Sequence, residues 1–119
     1  MDIVQWIIIA IAAYFVVSRF IPVKGIENIT TEQAKAKFKV KKVQFVDVRT
    51  PGEYKANHRK PFKNIPLNQL AQKSTELDRD KEVVVICQSG MRSMKAAKTL
   101  KKQGFKQISN VKGGMSAWI

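Results

Sequence analysis

The amino-acid sequence predicts an α/β fold, a doubly wound parallel sheet with helices on both faces, preceded by one transmembrane helix. Three features carry this reading. Val83-Val84-Val85-Ile86 is an unbroken apolar run, the pattern of a central parallel strand whose two faces are both covered. Apolar strand-like runs alternate along the chain with segments that open on helix-capping residues. Ile3 to Ile21 is apolar apart from Gln5, Ser18 and Arg19, and as a helix it reaches roughly 28 Å against a hydrocarbon core of ~30 Å.

Residues 1–21 are therefore expected as an anchor, 22–25 as a linker and 26–119 as one domain. A cleaved signal peptide is the competing reading of the first segment, since Ala10-Ile11-Ala12 is a small-x-small triplet. Against it, Asp2 stands where a basic n-region belongs, and the apolar run continues past the triplet to Val17. Arg19, Lys24 and the lysine-rich remainder lie on the C-terminal side, so the positive-inside rule places a single-pass protein at the cell membrane with its domain in the cytoplasm. Pro22 ends the helix and Gly25 frees the turn.

Ile26 to Ile29 reads as the first strand. Thr30 with Gln33 forms a capping box opening a helix to about Phe38. Lys35, Lys37, Lys39, Lys41 and Lys42 follow closely; they read either as a solvated helix end or as a contact with anionic lipid headgroups. Val43 to Val48 is the second strand. Thr50, Pro51 and Glu53 supply an N-cap, an N1 proline and an N3 acid for a short helix to about Ala56. Asn64 to Leu67 reads as a short edge strand, where Pro66 is tolerated, and Asn68 as the cap of a helix to about Leu77. Asp78 to Lys81 turns into the central strand. After it, Met94, Ala97 and Leu100 face away from Lys95, Lys98 and Lys102, an amphipathic helix capped by Ser93 and ended by Gly104. Lys106 to Val111 is the last strand, and Gly113-Gly114 leads to a short terminal helix carrying Met115 and Trp118, the latter expected as core packing.

Charge and cysteine count narrow the chemistry. Lys+Arg number 22 against Asp+Glu 9, a net charge of +13. No nucleic-acid motif or aromatic-interleaved basic patch accompanies that charge, so nucleic acid is not expected as a partner. One cysteine excludes an intramolecular disulfide and suits a reducing compartment. With one histidine beside it, neither a protein-only metal site nor any cofactor is expected. Cys87 falls at the carboxyl end of the central strand, immediately before a helix, where backbone N–H groups and the helix dipole meet. Such surroundings lower a thiol pKa and yield a nucleophilic thiolate.

Cys87-Gln88-Ser89-Gly90-Met91-Arg92-Ser93 resembles the active-site loop of the rhodanese (sulfurtransferase) family, Cys-x-x-Gly-x-(Arg/Ser/Thr)-(Ser/Thr). Asp47-Val48-Arg49 followed by Glu53-Tyr54, then His58, Asn64-Ile65-Pro66-Leu67, Gly113-Gly114 and Trp118 agree with the same family in order and spacing, from about Ile26 to Trp118. The resemblance implies a rhodanese-like fold and a persulfide on Cys87, with thiosulfate or a persulfide as donor and a thiol, protein or cyanide as acceptor. It makes Gln88 to Ser93 the substrate loop, with Arg92 offering a fork to an oxyanion such as sulfite. With Asp47 and Arg49 at the end of the second strand, Asp47, Arg49 and Glu53 read as loop supports through an internal ion pair or hydrogen bonds, such as Arg49 with Glu53. His58 is not the general base in that family. Gln88 is a departure, since members efficient with thiosulfate often carry a basic residue beside the cysteine. Two alternatives stand beside this one. A cysteine phosphatase or arsenate reductase needs Cys-x5-Arg, and the loop here is one residue shorter. A membrane-tethered binding module would leave the thiol idle.

Overall fold

The computed structural model describes residues 2–20 and 25–118. Ten regular elements follow one another: α1 (Ile3–Phe20), β1 (Ile26–Ile29), α2 (Thr31–Ala36), β2 (Gln44–Asp47), α3 (Pro51–Ala56), β3 (Lys63–Asn64), α4 (Leu67–Lys73), β4 (Val83–Ile86), α5 (Met91–Lys102) and β5 (Ile108–Val111). Single 3-10 turns follow α2, α4 and β5. The five strands form one sheet in the order β1-β5-β4-β2-β3, parallel at every pairing.

β4 lies at the centre, and its apolar composition follows from that position. Val83, Val85 and Cys87 face one side, packed with Leu70, Ala96, Ala97 and Leu100 of α4 and α5. Val84 and Ile86 face the other, with Ala34, Phe45, Phe62 and Met115. The period of two thus sends alternate residues into two separate cores, and neither face leaves room for a polar side chain. Phe38, Phe45, Phe62 and Trp118 fill the second core as edge-on and stacked rings. Trp118 stacks on Phe38 at 5.7 Å, the packing role expected of it.

Both capping boxes form. Thr30 Oγ1 accepts from the Gln33 N–H at 3.1 Å while Gln33 Oε1 accepts from the Thr30 N–H at 2.9 Å. Thr50 and Glu53 repeat the arrangement at α3, with Pro51 at its start. Elsewhere the boundaries differ. The edge strand is the pair Lys63–Asn64 rather than 64–67, because Pro66 is itself the N-cap of α4 and Asn68 already lies within the helix. α5 starts at Met91, not at a Ser93 cap: Gly90, at φ 101, turns the chain into the helix without a side-chain cap, and Ser93 is buried.

The N-terminal expectation is corrected. The segment does form a helix, with Ile3, Trp6, Ile8 and Tyr14 exposed, but among the described residues no helix is long and apolar enough to cross a membrane. α1 has 18 residues, about 27 Å, and Gln5 interrupts its first turn while Ser18 and Arg19 interrupt its last. Ile21 and the linker residues 22–24 lie outside the described residues. The lipid contact expected of the lysine run is likewise unsupported, because two of its members are engaged within the protein. Lys37 Nζ donates to the buried Glu82 carboxylate at 2.8 and 2.9 Å, and Lys35 sits 5.4 Å from the Trp118 ring centre.

Candidate active site

The loop after β4 folds around one sulfur atom. Cys87 is fully buried. Its Sγ accepts the Gly90 N–H at 2.9 Å and lies 3.3 Å from Ser93 Oγ. The tight return needs the positive φ of Gly90, a conformation that costs a side-chain-bearing residue about 1–2 kcal/mol. Burial opposes ionisation of the thiol. The Ser93 hydroxyl and the N–H groups of Ser93, Gly90 and Ser89 outweigh it, and the thiol titrates below its ordinary 9.0. Between that lowered pKa and 9.0 only the unfolded chain still holds the proton, so the fold gains stability as pH rises through this window and loses the gain as pH falls through the folded pKa.

Gln88 and Ser89 are exposed, and Met91, at 80% exposure, stands at the loop's outer end. The turn that begins at Gly113-Gly114 holds the loop from behind. The Met115 N–H donates to Cys87 O at 2.8 Å and the Ser116 N–H to Gln88 O at 2.9 Å. A Cβ on Gly114 would lie 2.1 Å from Cys87 O, inside any real contact. Gly114→Ala is therefore expected to destabilise the fold by about 2–4 kcal/mol, read as a lowered urea midpoint, and to slow alkylation of Cys87 because the loop is pushed off its amides.

The supports come from the neighbouring strand end. Asp47 and Arg49 form a buried pair, 0% and 2% exposed: Arg49 Nε donates to both carboxylate oxygens at 3.0 Å and Nη2 to Oδ2 at 2.8 Å. Arg49 also reaches Asn57 O and, at 3.4 Å, Gln88 Oε1. Asn64 Nδ2 donates to the carbonyls of Asp47 and Arg49, both at 3.0 Å. Glu53 pairs not with Arg49 but with Arg92, whose two terminal nitrogens donate to its two oxygens at 2.7 and 2.8 Å. The fork expected to face a substrate oxyanion is thus directed at α3. That contact, with the Thr50 hydrogen bonds, holds the Glu53 carboxyl at about 2 against an ordinary 4.5. The bridge is complete above pH 4.5 and is lost as pH falls towards 2, so alkylation of Cys87 between pH 5 and 8 should show no step from Glu53. A pH profile of the Glu53→Gln variant with the same shape as that of the unaltered protein checks this. His58 is not brought to the sulfur: it is exposed, stacked on Tyr54 at 4.0 Å, with Nδ1 2.9 Å from Tyr54 O.

Sequence reasoning missed two residues of this site. Ser116 Oγ donates to Gln88 O at 2.8 Å and accepts from Gln88 Nε2 at 3.3 Å. Asn110 on β5 hydrogen-bonds the Ser93 hydroxyl. The signal for Asn110 is a polar residue, beside Ser109, in a strand that is buried along its whole length, Ile108–Val111, since buried polar atoms need partners.

A parallel α/β sheet that carries a single ionisable cysteine in an amide-lined loop at its carboxyl edge defines a protein with a nucleophilic-thiol loop. Within that class, residues 30–119 match the rhodanese-like domain, and the chain belongs to the rhodanese-like family. It is similar to YqhL of Bacillus subtilis, 38% identical over 116 residues, covering 98% of this chain and 90% of that protein. It is also similar to a sulfurtransferase of Allochromatium vinosum, 34% identical over 76 residues, 64% of this chain and 71% of that one. Among solved structures it superimposes on a rhodanese-like domain protein of Staphylococcus aureus with a TM-score of 0.72 and 33% identity, covering 78% of this chain and 91% of that one.

Proposed function

We propose that the protein is a sulfurtransferase that carries a sulfane sulfur as a persulfide on Cys87. The observation that carries this reading is the Cys87 sulfur receiving the Gly90 N–H at 2.9 Å beside Ser93 Oγ, an arrangement that favours the thiolate and offers no general base. In the first half-reaction the thiolate attacks the outer sulfur of thiosulfate; the S–S bond breaks and sulfite leaves with the electron pair. In the second, an acceptor thiolate or cyanide attacks the outer sulfur of the persulfide and Cys87 departs as thiolate. Amide N–H groups stabilise the anion at each stage, and two half-reactions imply ping-pong kinetics. The sulfurtransferase relative from Allochromatium vinosum supports the same chemistry.

Gln88, neutral and tied to Arg49 and Ser116, adds no charge for thiosulfate, so a low-molecular-weight or protein persulfide is an equal donor in this proposal. Arg92, paired with Glu53, is not turned into the loop as a phosphate cradle requires, which supports sulfur over phosphoryl chemistry. A chain with one thiol that must stay reduced suits a reducing compartment. The test is intact-mass analysis after incubation with thiosulfate or with a persulfide donor. A gain of one sulfur atom, removed by cyanide or dithiothreitol, is the expected result. No gain from either donor would overturn the proposal and leave the binding module, while hydrolysis of a phosphate ester would favour the phosphatase.

A further inference from the structure

We propose that Asn110 is a positioning residue for Cys87, its carboxamide turning over when the sulfur ionises so that a chain of hydrogen bonds through Ser93 reverses direction. The inference deepens the reading above, in which the thiolate is the working form. Four side chains lie in line. Cys87 Sγ is 3.3 Å from Ser93 Oγ; Ser93 Oγ is hydrogen-bonded to Asn110 Oδ1; Asn110 Nδ2 donates to Asn28 Oδ1 at 3.1 Å. Ser93 and Asn110 are buried, at 0% and 4% exposure, whereas Asn28 on the edge strand β1 is exposed.

Proton counting exposes the difficulty. Ser93 has one hydroxyl proton, yet Asn110 Oδ1, Gly90 O at 3.1 Å and the sulfur all lie within its reach. With a neutral thiol there is no conflict: S–H donates to Ser93 Oγ, and the Ser93 hydroxyl donates onward to Asn110. Once the sulfur ionises it has no proton to give, and beside the Gly90 N–H it has acceptor capacity for the Ser93 hydroxyl as a further donor. If Ser93 turns its proton to the sulfur, its oxygen and Asn110 Oδ1 face each other as two acceptors in close contact with no hydrogen between them. Rotation of the Asn110 amide removes the clash. Nδ2 then donates to Ser93 Oγ, Ser93 donates to the sulfur, and Asn110 Oδ1 accepts from the amide of Asn28, which turns over in step. Nitrogen and oxygen of a carboxamide are nearly equal in size, so every bond is kept and the packing is unchanged. Asn28, at the exposed end, can exchange with water as it turns. In a chain of this kind each bond polarises the next, and the sulfur receives more than an isolated serine would give.

Other charged groups stand on the elements around the loop and are left unaltered in the test. Arg92 of α5 interacts with the sulfur electrostatically while paired to Glu53 of α3, and the Asp47–Arg49 pair stands at the C-terminal end of β2, with Arg49 just beyond the strand. On the β5 side and the terminal turn, Asn110, Gly113 and Gly114 carry no charge.

The experiment is the rate of iodoacetamide alkylation of the full chain as a function of pH, for the unaltered protein, Asn110→Ala, Asn28→Ala, Ser93→Ala and the Ser93→Ala/Asn110→Ala double variant. Asn110→Ala is expected to raise the midpoint, slowing alkylation below it by about tenfold, one pKa unit. Asn28→Ala should act in the same direction by about two- to threefold. In the Ser93→Ala background the Asn110 substitution should add nothing, the non-additivity of residues acting through one another. An unshifted midpoint in folded Asn110→Ala, or the same shift with and without Ser93, would overturn the proposal; if Asn110→Ala does not fold, an unshifted Asn28→Ala overturns it instead. Alkylation needs no sulfur donor. A chain that shows these shifts but never gains sulfur would end the transferase reading alone, and one that gains sulfur without them would end only this one.

Discussion

Cys87→Ser is expected to abolish sulfur loading altogether, with turnover falling by at least ~10³-fold, while the fold is unchanged by circular dichroism. The second half of that expectation is as informative as the first. Serine is nearly the shape of cysteine, and its hydroxyl can accept the same Gly90 N–H and meet the same Ser93 Oγ, so no buried donor is orphaned. What is lost is ionisation: at neutral pH a hydroxyl stays protonated even among these amides, and an alkoxide is no match for a thiolate at a sulfane sulfur. Intact mass after incubation with thiosulfate or a persulfide donor reads the result directly. A serine variant that still gained sulfur would place the acceptor elsewhere and end the assignment to this loop.

The largest effect on stability is expected from Arg49→Met. The guanidinium is 2% exposed and its partner Asp47 is 0% exposed, so truncation leaves a carboxylate buried with no counter-charge, a change that typically costs about 3–5 kcal/mol. Set against a total of ~5–15 kcal/mol for a domain of this kind, the variant should be on the edge of folding at room temperature, visible as a lower urea midpoint. Methionine approximates the arginine stem, which separates the charge from the packing. Asp47→Asn/Arg49→Met, removing both charges, should recover much of the loss. If the double variant is as unstable as the single, the contacts of Arg49 with Asn57 O and Gln88 matter more than the ion pair.

These two residues show where the sequence is legible and where it is not. The centre of the sheet could be read because burial on both faces of β4 forces Val83 to Ile86 to be apolar, and both capping boxes could be read because their partners are three residues apart. The cysteine loop was legible for the same local reason, being one short segment with its glycine inside it. Partnerships that cross the fold were not. Arg92 and Glu53 lie 39 positions apart, and nothing local distinguishes Glu53 meeting Arg92 from Glu53 meeting Arg49. Asn110 and Ser93 are brought together by the pairing of β5 with β4. The start of α5 differs from the Ser93 cap because a glycine at positive φ ends the loop without a capping side chain, whereas serine is the ordinary signal. At the N-terminus the helix itself is legible, and among the described residues it is not long and apolar enough to cross a membrane.

The position of β4 bears on how the chain meets its partners. A strand hydrogen-bonded on both edges and covered on both faces opens only when the whole molecule does, so the amide protons of Val84 and Ile86 should be among the last to exchange with deuterium. The residue that follows inherits that anchorage. Cys87 is held in place, and in the transfer proposed above donor and acceptor would each come to a fixed berth, one after the other.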